Sequence, residues 1–427
     1  MKESSKTTVK YGMLQGMYWM AQCTVLQFAV MLYNSRGYDK FSIGIATMLV
    51  ALTNVLAQPV WGILCDRKPK IKRLFLTGLL IAMGASLILP FSENSIVLTV
   101  FAMMVIGFMY QPLAQVVDAW IVRMNANGYH INYAAVRSFG SMGYAFTAMG
   151  YGLLLDTFGM WLMTPSFLLC CVVFCVVVLK TKEPEAVVAK RKSEVAEGEE
   201  SFSDILKKLI RNKQYLILIL SFLLMTTGMS AGHTFMSVKL TELGGGNMEY
   251  GLVMTVMSGC EMCVLLLMSK YAGRFRPAAL MAVGYLSIIV KMLLLAFAGN
   301  IPMIVAAHIF HGPAYGIMLG AVVMYIQSVV DHRSLFTAQT GYGACMGLGN
   351  ILGSFLGGVI STAVGIDNMI FIMVSLPIVS FCVMAANNLY LKRLEQLPVP
   401  AALMQETAPV EIPSVCTGME CPEEVNV

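Results

Sequence analysis

Apolar runs of about 20 residues, the length an α-helix needs to cross roughly 30 Å of hydrocarbon, recur along nearly the whole chain between short polar connections. The pattern predicts twelve spans, at about residues 8–33, 41–64, 73–90, 95–121, 134–155, 158–180, 213–237, 248–270, 277–298, 301–327, 335–364 and 367–391. Alternating segments of the kind that build a membrane barrel do not occur, so the expectation is an all-α membrane protein. One long polar insert, 181–212, separates two groups of six spans, residues 1–180 and 213–391. A tail, 392–427, has no apolar run and reads as disordered.

Composition agrees. Hydrophobic residues make up 57% of the 427 and charged residues 12%, against about 25% charged in a typical soluble domain. The polar N-terminus MKESSKTTVKYG runs into the first span with no A-x-A-like cleavage site, which predicts an uncleaved first helix. The cysteines are scattered; Cys260 and Cys263 form a C-x-x-C within span eight, where small packing side chains are the expected reading.

Charge sets the orientation. Lys and Arg gather in the connections on the side that carries the N-terminus, whereas the other side has only Arg36, Lys40 and Lys239. By the positive-inside rule both termini are cytoplasmic, in a bacterial inner or plasma membrane. The net charge of +5 is then a topology signal and implies no nucleic-acid partner.

The halves also resemble each other. VRSFGSMGY (136–144) opens span five and QTGYGACMG (339–347) opens span eleven; DRKPK (66–70) follows span two, and KYAGR (270–274) follows span eight. Such a duplication is the plan of a transporter whose halves rock around a midplane site. Gly349, Gly353 and Gly357 add a small-xxx-small stripe for close helix packing.

The string GILCDRKPKIKR (62–73) resembles the loop 2–3 signature of the major facilitator superfamily, departing from it at Pro69 and Ile71. The resemblance implies the twelve-helix major facilitator fold over residues 8–391. It also implies that Gly62, Asp66 and Arg67 belong to a conformational latch.

A charge in hydrocarbon costs at least about 2.5–3.5 kcal/mol, which makes each one a functional candidate. Within the spans lie Asp118, Arg137, Glu261 and Lys291, with His233, His308 and His311. At 1.5 Å rise per residue, Glu261, Lys291, His308 and His311 fall about 10–20 Å from the outer ends of their spans, within reach of one another. Histidine titrates near neutrality, so this cluster suits proton coupling; the bland alternative is interhelical hydrogen bonding by neutral rings. Asp118 and Arg137 suit either a solute-binding pair or a helix-end ion pair. Gln15, Tyr18 and Gln22 share one face of span one, and Gln111 and Gln115 one face of span four. Amides on a shared face fit a polar, neutral ligand or bonds between helices.

HIFHGP (308–313) resembles the span-ten motif of the lactose permease and its oligosaccharide–proton symporter relatives, with His311 standing where that group has its proton-carrying glutamate. A histidine there is similar to the phenylpropionate permease group. The same resemblance places Lys291 at a span-nine arginine, Glu261 at a glutamate joining solute and proton sites, and Arg137 and Tyr144 at a sugar-binding arginine and a stacking aromatic. Asp118 stands where a span-four glutamate precedes that arginine.

The expectation is a proton-coupled symporter, a functional monomer, importing a small polar solute such as a sugar or glycoside. Asp118, Arg137, Tyr144, Gln15, Tyr18, Gln22 and Glu261 bind it; His308, His311, Lys291 and Glu261 couple it to H⁺. No cofactor, metal site or enzymatic constellation is expected. The alternatives are a proton-coupled drug or metabolite antiporter, uptake of a nucleoside or aromatic acid, and a transport-dead sensor on the same scaffold.

Overall fold

The structure, a computed structural model, describes residues 2–67, 71–126, 128–131, 133–181, 202–271, 274–331 and 334–396. Every predicted span is helical. Helix α1 (2–35) passes through a π-helical turn at Cys23–Gln27. It is followed by α2 (Lys40–Arg67) and α3 (Ile71–Ser86). Next come α4 (96–126, broken at Gln111–Pro112), α5 (Tyr133–Phe158) and α6 (Met163–Lys180).

The second half comprises α8 (Lys213–Glu242), α9 (Asn247–Tyr271), α10 (Pro277–Ala296), α11 (301–329), α12 (Leu335–Val364) and α13 (Ile366–Gln396). Between the halves stands α7 (Phe202–Arg211), a short helix that buries Leu209. The polar insert therefore carries a helix that span-seeking hydropathy does not register; residues 182–201 of it, and 397–427 of the tail, lie outside the described residues.

Side-chain caps fix several helix starts by taking otherwise unpaired backbone N–H groups. Ser95 accepts from Leu98 N, Asn212 from Gln214 N and Tyr215 N, and Asn300 from Met303 N. At the end of the bundle opposite the termini, here the distal end, the chain turns through glycines with positive φ: Gly37 at 73° and Gly159 at 88° in the first half, Gly244 at 82° and Gly365 at 84° in the second. They follow α1, α5, α8 and α12, corresponding positions of the two six-helix groups, and glycine adopts this conformation without steric cost.

Ten of the described helical segments are apolar and long enough to cross a membrane by themselves. Helices α1 and α5 are as long but more polar, because one face of each looks into the bundle. Inside the first half, aromatic edges fill the core: Phe75 meets Trp120 and Phe174, and Tyr110 meets Phe167. Between the halves, α2 runs against α12 and α5 against α9.

Contacts across the halves are closest toward the distal end. A Cβ on Gly44 would stand 2.7 Å from the Gly358 Cα, so these backbones touch only because both residues lack side chains. Lys40 Nζ meets Glu242 Oε1 at 2.8 Å. Asp156, at the end of α5, accepts hydrogen bonds from Asn247 N at 2.9 Å and Met248 N at 2.7 Å, and so caps α9 across the interface. Of the expected latch, Gly62 is exposed at the termini end of α2. The side chains of Asp66 and Arg67 lie outside the described residues.

Candidate functional site

Two helices of the first half and three of the second bring Arg137, Glu261 and Lys291 to one place. A cavity of about 260 Å³ is lined by Trp19 of α1, Arg137 and Tyr144 of α5, Glu261 of α9, Lys291 of α10 and His311 of α11. Five of these six were legible as candidates from sequence. Trp19 was not, although it sits one helical turn from Gln15 on the same face.

Arg137 and Trp19 form one wall. The guanidinium carbon lies 4.7 Å from the indole centroid, a cation–π distance, and Tyr144 meets the same indole edge-on at 6.1 Å. The glycine of the RSFG motif makes this possible. A Cβ on Gly140 would stand 2.6 Å from Trp19 Cδ1, so the ring rests directly on the α5 backbone. Trp19 Nε1–H is buried and makes no hydrogen bond within the chain.

The opposite wall is a row of ionisable groups. Lys291 is 3% exposed, and its Nζ lies 3.0 Å from His311 Nδ1. An ammonium has only donors, so a charged Lys291 makes Nδ1 the acceptor and leaves the ring proton on Nε2. That nitrogen is 4.0 Å from Glu261 Oε2, beyond hydrogen-bond length yet close enough for a small ring movement to close the gap. Tyr315 stacks on the His311 ring at 5.6 Å. With Lys291 charged, a proton can thus reside on the imidazole, on the carboxylate or between them.

The remaining candidates stand behind these walls. Gln15 Nε2 donates to Asp118 Oδ1 at 2.7 Å, and neither residue lines the cavity. Tyr18 donates to the Gln111 carbonyl at 3.1 Å and stacks on Tyr110 at 5.1 Å. Gln22 faces an adjoining cavity. His308 is fully buried; its Nδ1 lies 2.8 Å from the Ile304 carbonyl, which can only accept, so Nδ1 carries the proton. His308 does not line the cavity that His311 enters; between the two, α11 breaks at Phe310, and it enters a π-helical turn at Gly312–Gly316. His233 of α8, without a role in the sequence reading, lines both cavities. In the C-x-x-C, the Cys260 backbone packs against Gly312.

Two groups of six membrane helices around a cavity rich in buried charge define a multi-pass transporter of the major facilitator type. The chain belongs to the MFS_1 like family, whose model matches residues 16–373. It is 24% identical over 319 residues to the maltose permease of Geobacillus stearothermophilus, covering 74% of this chain and 76% of that one. It is 22% identical over 405 residues to the uncharacterized transporter YwbF of Bacillus subtilis (strain 168), covering 90% and 94%. The crystal structure of the nucleoside transporter NupG superposes with a TM-score of 0.75 at 14% identity, over 89% of this chain and 98% of that one.

Proposed function

We propose that this transporter takes up a small polar solute, a sugar or glycoside, together with a proton. The observation that carries the reading is the Lys291–His311–Glu261 row facing the Arg137–Trp19–Tyr144 wall across one cavity. Arg137 donates to solute hydroxyls while Trp19 and Tyr144 cover the apolar face of a ring. Glu261 belongs to both walls: it accepts from the solute, and it exchanges the proton with His311. Lys291 holds His311 in the tautomer that presents its proton to Glu261. Gln15, Tyr18, Asp118 and His308 act one layer back, positioning α1, α4 and α11, and Gln22 extends the polar lining.

The basic connections on the termini side support cytoplasmic termini in a bacterial cell membrane, which makes the closed distal end external. Gly62, Asp66 and Arg67 then lie at the cytoplasmic end of α2, where a latch would act. The protein works as a monomer. Relatedness to a maltose permease favours a sugar; the perpendicular aromatic pair Trp19–Tyr144 also accommodates a nucleobase, which keeps nucleoside uptake as the second reading.

The test is external pH in lightly buffered, energy-depleted cells. A disaccharide or nucleoside pulse is expected to give transient alkalinisation that His311→Gln abolishes. Uphill accumulation unchanged in His311→Gln would remove His311 from the coupling path.

A further inference from the structure

Next to the charged cavity lies a second one, about 330 Å³, bounded by α1, α2, α4, α8, α9 and α12. The two share Gln27, Ser230, His233 and Asn350, so they adjoin across these residues. Their chemistry differs. The first holds Arg137, Glu261, Lys291 and His311; among the described residues, no Asp, Glu, Lys or Arg lines the second.

The second compartment also holds unmet hydrogen-bonding capacity. Gln22, Tyr33, Asn54 and His233 all line it, and in these residues Gln22 Oε1, Tyr33 OH, Asn54 Oδ1 and His233 Nδ1 are each buried without a partner in the chain. Gln22, Tyr33 and Asn54 come from the first half and His233 from the second. Four residues around one space that each carry such an atom are unusual in a folded protein, where buried polar groups are satisfied.

The types of these atoms narrow what fits. The two amide oxygens accept only; the phenol donates and accepts; the imidazole nitrogen does either according to tautomer. An ion would find no countercharge, and an apolar group would leave all four unpaired. A hydroxyl both donates and accepts, so a ring bearing several hydroxyls matches the set. The charged compartment, at about 260 Å³, is smaller than the roughly 300–1,000 Å³ of typical small-molecule sites, whereas the two adjoining cavities taken together fall within that range.

We infer that the solute is a two-part molecule: an uncharged, polyhydroxylated ring occupies the Gln22–Tyr33–Asn54–His233 compartment while its other part lies between Arg137 and Glu261. This rests on the uptake reading above only in taking the space as the solute site; it requires no proton coupling. It names a two-ring glycoside, either a disaccharide or a nucleoside held through its ribose.

Equilibrium binding to the purified full-length protein at fixed pH, without any gradient, separates the cases. Two probe pairs are used, methyl glucoside with a glucosyl disaccharide and adenine with adenosine. In the pair that binds, Asn54→Leu should weaken the larger member at least tenfold and change the smaller less than twofold. Retained binding of the smaller member shows that the variant is folded. Tyr33→Phe, which removes one hydroxyl, should cost the larger member alone three- to fivefold.

Equal losses for both members of a pair in Tyr33→Phe, or no loss in any variant, would mean that the compartment holds water only. The inference would then fall while solute binding by the wild type stood. Failure of the wild type to bind either pair would overturn the inference and the sugar and nucleoside readings together. Intact binding without alkalinisation in cells would sink only the coupling.

Discussion

The Arg137 guanidinium stacked 4.7 Å over the Trp19 indole combines a charge with an aromatic face. A cation–π contact is worth about 0.5–2 kcal/mol depending on desolvation, and edge-on aromatic pairs add about 0.5–1.5 kcal/mol. Trp19→Leu loses both and lets the guanidinium drift, so solute affinity should fall roughly tenfold, since about 1.4 kcal/mol is a factor of ten. Trp19→Phe keeps a face and loses the unpaired Nε1–H donor, so it should cost only about threefold, in line with a net hydrogen bond of about 0.5–1.5 kcal/mol. Competition binding checks both; equal losses would make the N–H the decisive group, and no loss in Trp19→Leu would remove the indole from the site. Sequence made Arg137, Glu261 and Lys291 visible because an intramembrane charge is costly enough to demand a reason. Trp19 carries no such flag, since a tryptophan in an apolar run is compatible with packing, lipid contact or ligand contact alike.

At the scale of elements, α11 shows what a hydropathy pattern can and cannot register. Its position and length were legible, as were those of the other spans, because apolar length is what the bilayer selects. Its interruption at Phe310 and the π-helical turn over Gly312–Gly316 were signalled only by Gly312 and Pro313. Pro313 lacks an N–H and weakens the regular ladder. The break in α4 at Gln111–Pro112 has the same origin, whereas the π-helical turn in α1 at Cys23–Gln27 has no proline to announce it.

The turn in α11 has a packing consequence. A Cβ on Gly312 would lie 2.6 Å from the carbonyl carbon and oxygen of Cys260, so α11 presses on α9 beside His311 and Glu261. Gly312→Ala must push the helices apart, an overpacking change of about 1–3 kcal/mol, and widens the 4.0 Å gap between His311 and Glu261. The expected outcome is at least a tenfold drop in uphill accumulation, with solute exchange at equilibrium reduced far less. Gly320→Ala on the same helix, whose Cβ would meet only Met268 Cε at 3.9 Å, is the control and should be silent. If both variants transport like the wild type, the spacing of α9 and α11 does not govern coupling.

For the molecule as a whole, the sequence made the duplication visible as two weakly similar span openings, and the structure repeats it in the four distal glycine turns. The contacts that close the distal end were not legible, because they join residues distant in the chain whose pairing depends on how the halves meet. Gly44 and Gly358 lie inside predicted spans and Asp156 between two of them, and no sequence feature pairs them with their partners.

The relative strength of these contacts decides where the closed state is most vulnerable. Lys40 and Glu242 are 29% and 48% exposed at the side chain, and an exposed pair is worth about 0.2–1 kcal/mol. Asp156 is exposed too, but it accepts two backbone N–H bonds at the start of α9; a hydrogen bond to a charged group is worth at most about 1.5–3 kcal/mol, and the helix dipole adds about 0.3–1 kcal/mol. Asp156→Asn should therefore favour distal opening more than Glu242→Gln does, by roughly tenfold against roughly twofold, as about 1.4 kcal/mol per factor of ten requires.

Val30 lines the second compartment beneath this closure. In a background with reactive cysteines replaced, a cysteine at Val30→Cys should react with a membrane-impermeant maleimide in that order: slowest with the wild-type seal, slightly faster in Glu242→Gln, and fastest in Asp156→Asn. The Lys40→Glu/Glu242→Lys exchange should return labelling close to the wild-type rate. Equal rates in all four proteins would mean that the glycine contact between α2 and α12 holds the distal end closed without help from charge.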